Sequence, residues 1–121
     1  MRIAVCSSDM DERYALSRRI DNALLRRGVL PEISMFPMLP ELIEASAQSC
    51  GFDMAVIPGK TGKTALSELC RRMAVILVGG CDGADAFEVG AAYFIENPEN
   101  KSQWEKALTR CLSRKKEEIT L

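Results

Sequence analysis

The fold class predicted from this sequence is an open, five-stranded parallel sheet with helices on both faces, and three observations predict it. Short β-branched runs alternate with segments of helical periodicity five times over, and such alternation implies parallel strands joined by helical crossovers. The run Ala74–Val78 is apolar without interruption, as a strand covered on both faces should be. A length of 121 residues fits one domain of this kind and not two, and it can bury a core without metal or disulfide staples.

Each element follows in order. Arg2–Cys6 is the first strand; it stops at Ser7-Ser8-Asp9, three residues suited to capping a helix. The helix that follows carries Tyr14, Leu16, Ile20, Ala23 and Leu24 at three- and four-residue spacing. Arg26 and Arg27 suit its negative end, and Gly28 suits its C′ position. Glu32–Phe36 is the second strand. Pro40 takes the first position of the second helix, whose apolar face is Leu42, Ile43 and Ala47 and which ends at Gly51. Residues 53–57 form the third strand, stopped by Pro58, and the loop 59–62 leads to a helix carrying Leu66, Leu69 and Cys70. Gly79-Gly80 ends the fourth strand. A brief helix at 84–89 stops at Gly90, and a fifth strand at 92–96 breaks at Asn97-Pro98. The last helix, from about residue 100 to 116, stacks Trp104, Leu108 and Leu112 on one face. Met35, Met38, Met54 and Met73 are expected to fill the core. Five units of this length fit the flavodoxin-like strand order 2-1-3-4-5. The domain is assigned to residues 1–116, with 117–121 as a tail or the start of a linker.

Composition excludes several functions. A net charge of -1 argues against non-specific nucleic-acid binding, which needs a basic excess. With no histidine there is no Ser-His-Asp or Cys-His machinery and no His-ligated metal. The five cysteines (6, 50, 70, 81 and 111) include no C-x-x-C pair, so neither a disulfide framework nor a zinc cluster is expected. They read as buried free thiols in a cytoplasmic protein. The longest apolar run, residues 73–78, is far short of the roughly 20 a membrane span needs. The chain enters its first strand directly, so no signal peptide is expected.

In an open parallel sheet, ligands bind beyond the carboxyl ends of the strands. The residues placed there are Ser7, Ser8 and Asp9, then Pro58 and Gly59, then Gly79 and Gly80, then Asn97. One carboxylate, two hydroxyls and one amide make a poor catalytic site, and no cluster of hard oxygen donors for Mg²⁺ is visible. No enzyme activity and no cofactor are expected.

These residues and three motifs carry a resemblance. The opening Met1-Arg2-Ile3-Ala4-Val5-Cys6, the segment Gly51-Phe52-Asp53-Met54-Ala55-Val56 and the segment Ala86-Phe87-Glu88-Val89-Gly90-Ala91 resemble the response-regulator receiver domain. The likeness is to the kind that precedes a LytTR-type DNA-binding domain, and Asn97-Pro98 stands where that family has Lys-Pro. The resemblance covers nearly the whole chain. It implies a phosphoryl-accepting pocket, and this sequence departs from that pocket at every position. Ser7 and Ser8 replace the family's acidic pair, with Asp9 beside them; Pro58 falls on the phosphoacceptor aspartate, Gly79 on the hydroxyl residue and Asn97 on the lysine. The switch aromatic falls on Phe94. Without a nucleophile no acyl phosphate can form, and two neutral hydroxyls do not replace two carboxylates around a hard divalent ion. Asp53 lies at the other end of its strand. The resemblance therefore implies a degenerate pseudo-receiver.

Two rival patterns compete with that reading. Gly59-Lys60-Thr61-Gly62-Lys63-Thr64 resembles a P-loop, but only two residues separate its glycines where the motif has four, so the anion nest is too small. A small-ligand sensor of anions or nucleotides, using the crevice around Ser7, Ser8, Gly59, Gly79 and Asn97, is the alternative. The favoured reading is phosphorylation-independent regulation of signal transduction or transcription by protein contact. It places the domain at the N-terminal end of a response regulator, or makes it a stand-alone adaptor. The resemblance implies a protein partner or a homodimer through the fourth helix, fifth strand and last helix. The outward residues there are expected to include Glu88, Tyr93, Lys101, Glu105 and Arg110. Any DNA contact would come through a downstream domain, and no membrane contact is expected.

Overall fold

The computed structural model describes residues 1–48 and 51–120. Five strands, β1 (Arg2–Cys6), β2 (Glu32–Phe36), β3 (Met54–Pro58), β4 (Ala74–Val78) and β5 (Tyr93–Ile95), form one sheet in the order β2-β1-β3-β4-β5. Every pairing is parallel, with Val5 opposite both Met35 and Val56, and Ile76 opposite Val56 and Tyr93. The helices are α1 (Met10–Arg26), α2 (Leu39–Gln48), α3 (Lys63–Arg72), α4 (Gly83–Val89) and α5 (Lys101–Thr120). The predicted class and strand order are those of the structure.

Alternation along the strands builds two cores. Ile3 and Val5 point to one side of β1, where they meet Leu16, Ile20 and Leu24 of α1 and Trp104 and Leu108 of α5. Ala4 and Cys6 point to the other, against Leu42 of α2, Leu66 and Leu69 of α3 and Val89 of α4. The interior strands β3 and β4 are buried at every residue, whereas the edge strand β2 is not. Helix starts follow local chemistry: Asp9 accepts from the N–H groups of Asp11 and Glu12, and Asp82 from that of Asp85. Trp104 is buried and donates its indole N–H to the Pro98 carbonyl at 2.7 Å, which fixes the start of α5.

Several expectations are corrected. Tyr14 is exposed, because it lies about 200° around the helix from Leu16. Ala47 is exposed as well, and Met35 and Met38 stand in solvent while Met54 and Met73 are buried. Helix α2 starts at Leu39, one residue before Pro40. Pro58 is the last residue of β3 and not its stop, since only its missing N–H separates it from any strand-end residue. Strand β5 is three residues, not five, because nothing pairs its outer edge. Helix α5 continues past residue 116 to Thr120, through a stretch with no glycine or proline and many strong helix formers. Cys6, Cys70 and Cys111 are buried and Cys81 is half-buried; Cys50 and Leu121 lie outside the described residues.

Candidate functional site

The first βα junction is tied up with itself. Ser7 is buried, donates its hydroxyl to Glu12 Oε1 at 2.6 Å and accepts the Asp9 N–H at 3.2 Å. Its carbonyl takes a hydrogen bond from Arg13 Nη1 at 2.7 Å. Asp9 Oδ1 accepts the Asp11 N–H at 2.9 Å and the Glu12 N–H at 3.2 Å, so the one carboxylate in this loop caps α1. The Mg²⁺ ion that a receiver pocket implies does not fit these residues. Ser7 spends its proton on Glu12, and the Asp9 carboxylate is turned to the helix N–H groups. No group of three His, Cys, Asp or Glu side chains converges as a metal site among the described residues.

At the end of β3 the chain is closed by backbone. Pro58 is buried, and its carbonyl accepts the Thr61 hydroxyl at 2.9 Å. The Gly59 N–H is shared between the carbonyls of Val78 at 3.2 Å and Gly79 at 3.1 Å. A Cβ on Gly59 would collide with the Gly79 carbonyl oxygen and stand 2.6 Å from Cys81 Sγ. Gly80 has φ +70°, and a Cβ there would stand 2.6 Å from the Lys60 backbone nitrogen. The β3–α3 and β4–α4 loops therefore touch backbone to backbone just beyond the ends of β3 and β4. Lys63 adds a tie outside this seam, with Nζ 3.0 Å from Asp85 Oδ1 and 3.3 Å from Glu88 Oε2. These bonds hold the Lys63 ammonium above its usual pKa and the Asp85 carboxyl below its own.

The remaining predicted positions do not join this site. Asn97 turns its carbonyl Oδ1 to the Glu99 N–H at 3.0 Å, and its own N–H donates to Gln103 Oε1 at 3.2 Å. Its side chain serves its own turn. Phe94 is half-buried against the core on the α2–α4 side of the sheet. Of the expected outward face, Glu88, Lys101 and Arg110 are exposed and Tyr93 packs partly against the α1–α5 core. Glu105 faces α1 instead: its carboxylate pairs with Arg26 at 3.2 Å and Arg27 at 3.2 Å. Sequence reasoning missed Phe87, which is 86% exposed on α4. Its signal was available, since Phe87 lies between the helix's buried Ala86 and Val89 yet off their face.

What does open at the carboxyl edge is a crevice of about 370 Å³ displaced toward β2. Cys6, Ser7 and Ser8 line it from β1 and its loop, Met38 and Leu39 from the β2–α2 loop, and Pro58, Lys60 and Thr61 from β3 and beyond. Burial pushes the Cys6 thiol up to about 11, against a weaker downward pull from Arg13, so it stays protonated near neutral pH. Ser8 and Pro58, both predicted for the site, belong to this crevice; the β2–α2 wall was not foreseen.

No family model matches the chain, and no curated protein matches it. Solved structures do. The chain is similar to the response regulatory domain of protein mrkE from Klebsiella pneumoniae, at 14% identity and a TM-score of 0.74, over 94% of this chain and 97% of that one. It is similar to an orphan response regulator of H. pylori at 17% identity and a TM-score of 0.67, over 92% and 96% of the two chains. Megasphaera elsdenii flavodoxin aligns more loosely, at 15% identity and a TM-score of 0.50, over 93% and 99%. The chain thus shares its fold with response-regulator receiver domains, within the wider flavodoxin-like class.

Proposed function

We propose that this chain, a domain of receiver fold, is a pseudo-receiver that regulates signalling by protein contact without being phosphorylated and without enzyme activity. The observation that carries the reading is the end of β3. A buried proline, with no nucleophilic side chain, occupies the strand end from which a nucleophile would act, and Gly59 behind it is bonded to the carbonyls of Val78 and Gly79. The neighbouring hydroxyl Ser7 and carboxylate Asp9 are both committed to α1. A cytoplasmic regulator of transcription, with DNA contacted only by a downstream domain, is the setting this reading favours; a stand-alone adaptor would use the same surfaces.

Phe87 points to where a protein contact would form. A phenyl ring 86% exposed on α4, beside Glu88, is the kind of aromatic anchor that interfaces bury. Sedimentation equilibrium of the wild-type chain and Phe87→Ala, each with and without Mg²⁺ and acetyl phosphate, tests the reading. Self-association that Phe87→Ala weakens by about tenfold, and that acetyl phosphate leaves unchanged, is expected. The variant should lose under about 0.5 kcal/mol of stability, since the ring packs on nothing. Association that appears only with the phosphodonor would overturn the proposal.

A further inference from the structure

The regulatory reading leaves the crevice beside β2 unused. Its chemistry is selective. Met38 and Leu39 form an apolar wall, and Pro58 and the protonated thiol of Cys6 face them. The wall is rigid: Pro37 and Pro40 bracket Met38-Leu39, fixing φ at both flanks. Preformed apolar walls lower the ordering cost of binding. Met38 is 58% exposed, so a large apolar side chain lies uncovered at the mouth.

The cavity also carries charge. Among the described residues Lys60 is the charged side chain that lines it, with its ammonium 3.9 Å from Glu12 Oε1, while Arg13 and Glu41 act on the lining thiol of Cys6 from nearby. Glu12 is already engaged at 2.6 Å by the Ser7 hydroxyl. Ser8 is exposed beside it, with a hydroxyl available to donate. Gly59 and Thr61 donate their N–H groups to backbone carbonyls. With a single lysine on its lining, the crevice is a poor match for the charge of a nucleotide. A single anionic group on an apolar body matches it better.

We propose that this crevice binds a small apolar monocarboxylate, a short aliphatic or aryl acid. The hydrocarbon lies against Met38, Leu39 and Pro58, and the carboxylate lies on Lys60 and Ser8. The inference stands on the crevice and does not rest on the absence of phosphorylation. Glu12 competes with such a ligand for Lys60, so removing its charge strengthens binding.

The test is a titration of the full chain with hexanoate, hexylammonium and inorganic phosphate, read on the methyl resonances of Met38 and Leu39. Hexanoate should give saturable shifts with a Kd on the order of 1 mM, the affinity attainable by a ligand of about eight heavy atoms. Hexylammonium and phosphate should each bind at least about tenfold more weakly. Lys60→Gln and Lys60→Glu should weaken hexanoate by about tenfold, and Glu12→Gln should tighten it by a few-fold, with unchanged circular dichroism in each. Two charge variants keep the test intact if one of them fails to fold. Absence of saturation by hexanoate to about 20 mM would overturn the proposal. So would equal binding by phosphate, or affinity for hexanoate unchanged in both Lys60 variants.

Discussion

On its β2–β1 side the carboxyl edge of the sheet opens into a crevice of about 370 Å³, and on its β3–β4 side the same edge is shut by backbone. Both halves obey the same topology, which leaves a crevice beyond the strand ends wherever neighbouring loops diverge. The difference lies in the loops. Around Met38, flanked by Pro37 and Pro40, the start of α2 and the loop before it line open space with the end of β1. At residues 59 and 80, glycines let the β3–α3 and β4–α4 loops meet backbone to backbone. The fold supplies a place for a site, and the side chains and glycines at the strand ends decide whether chemistry can occupy it.

The sharpest way to break the closed half is Gly59→Ala. Its methyl must displace the Gly79 backbone carbonyl and the Cys81 side chain, so a loss of about 3 kcal/mol is expected from urea denaturation. Gly62→Ala, three positions along the same loop and open in space, is the control and should change stability by less than about 0.5 kcal/mol. If both variants were equally stable, the seam would not be a structural tie. In the open half, Ser7→Ala strands the Asp9 N–H and the Glu12 carboxylate and should cost about 1 kcal/mol. The same urea midpoints measure it.

Acid and base should then separate the two halves more gently. The Asp85 carboxyl is held below its ordinary pKa of 3.8 by Lys63, so its contribution is present above that value and is lost as pH falls through the depressed one. Because the pair is exposed, the effect is small and falls with salt. Asp85→Asn should remove it. The Cys6 thiol acts at the opposite end of the scale. Its pKa is raised from 9.0 to about 11 by burial, so stability is full below about 9 and declines as pH rises toward 11. Cys6→Ala should flatten that decline.

Much of the architecture could be read from residues alone, because it rests on local periodicity and capping. The bounds of β1, β2 and β4 coincide with apolar runs, and Asp9 and Gly90 end or start helices where their chemistry requires. The site was half legible. Ser7, Ser8, Pro58 and Gly79 do stand at the strand ends, but which of them share space depends on loops meeting across the sheet. The contact between Gly59 and Gly79 joins two loops that no sequence period links. Asn97 bonds within its own turn, and Glu105 finds two arginines on α1, far away in sequence. Met38 was assigned to the core on hydrophobicity alone; the prolines beside it keep it at the surface.

The central claim is that the end of β3 cannot carry a phosphoryl group, and its most direct test is a mass measurement. The chain is incubated with Mg²⁺ and acetyl phosphate beside an active receiver domain, and intact masses are recorded. This account predicts that the active receiver gains a hydroxylamine-labile phosphate while this chain keeps its mass. A phosphate on this chain that hydroxylamine removes would contradict it.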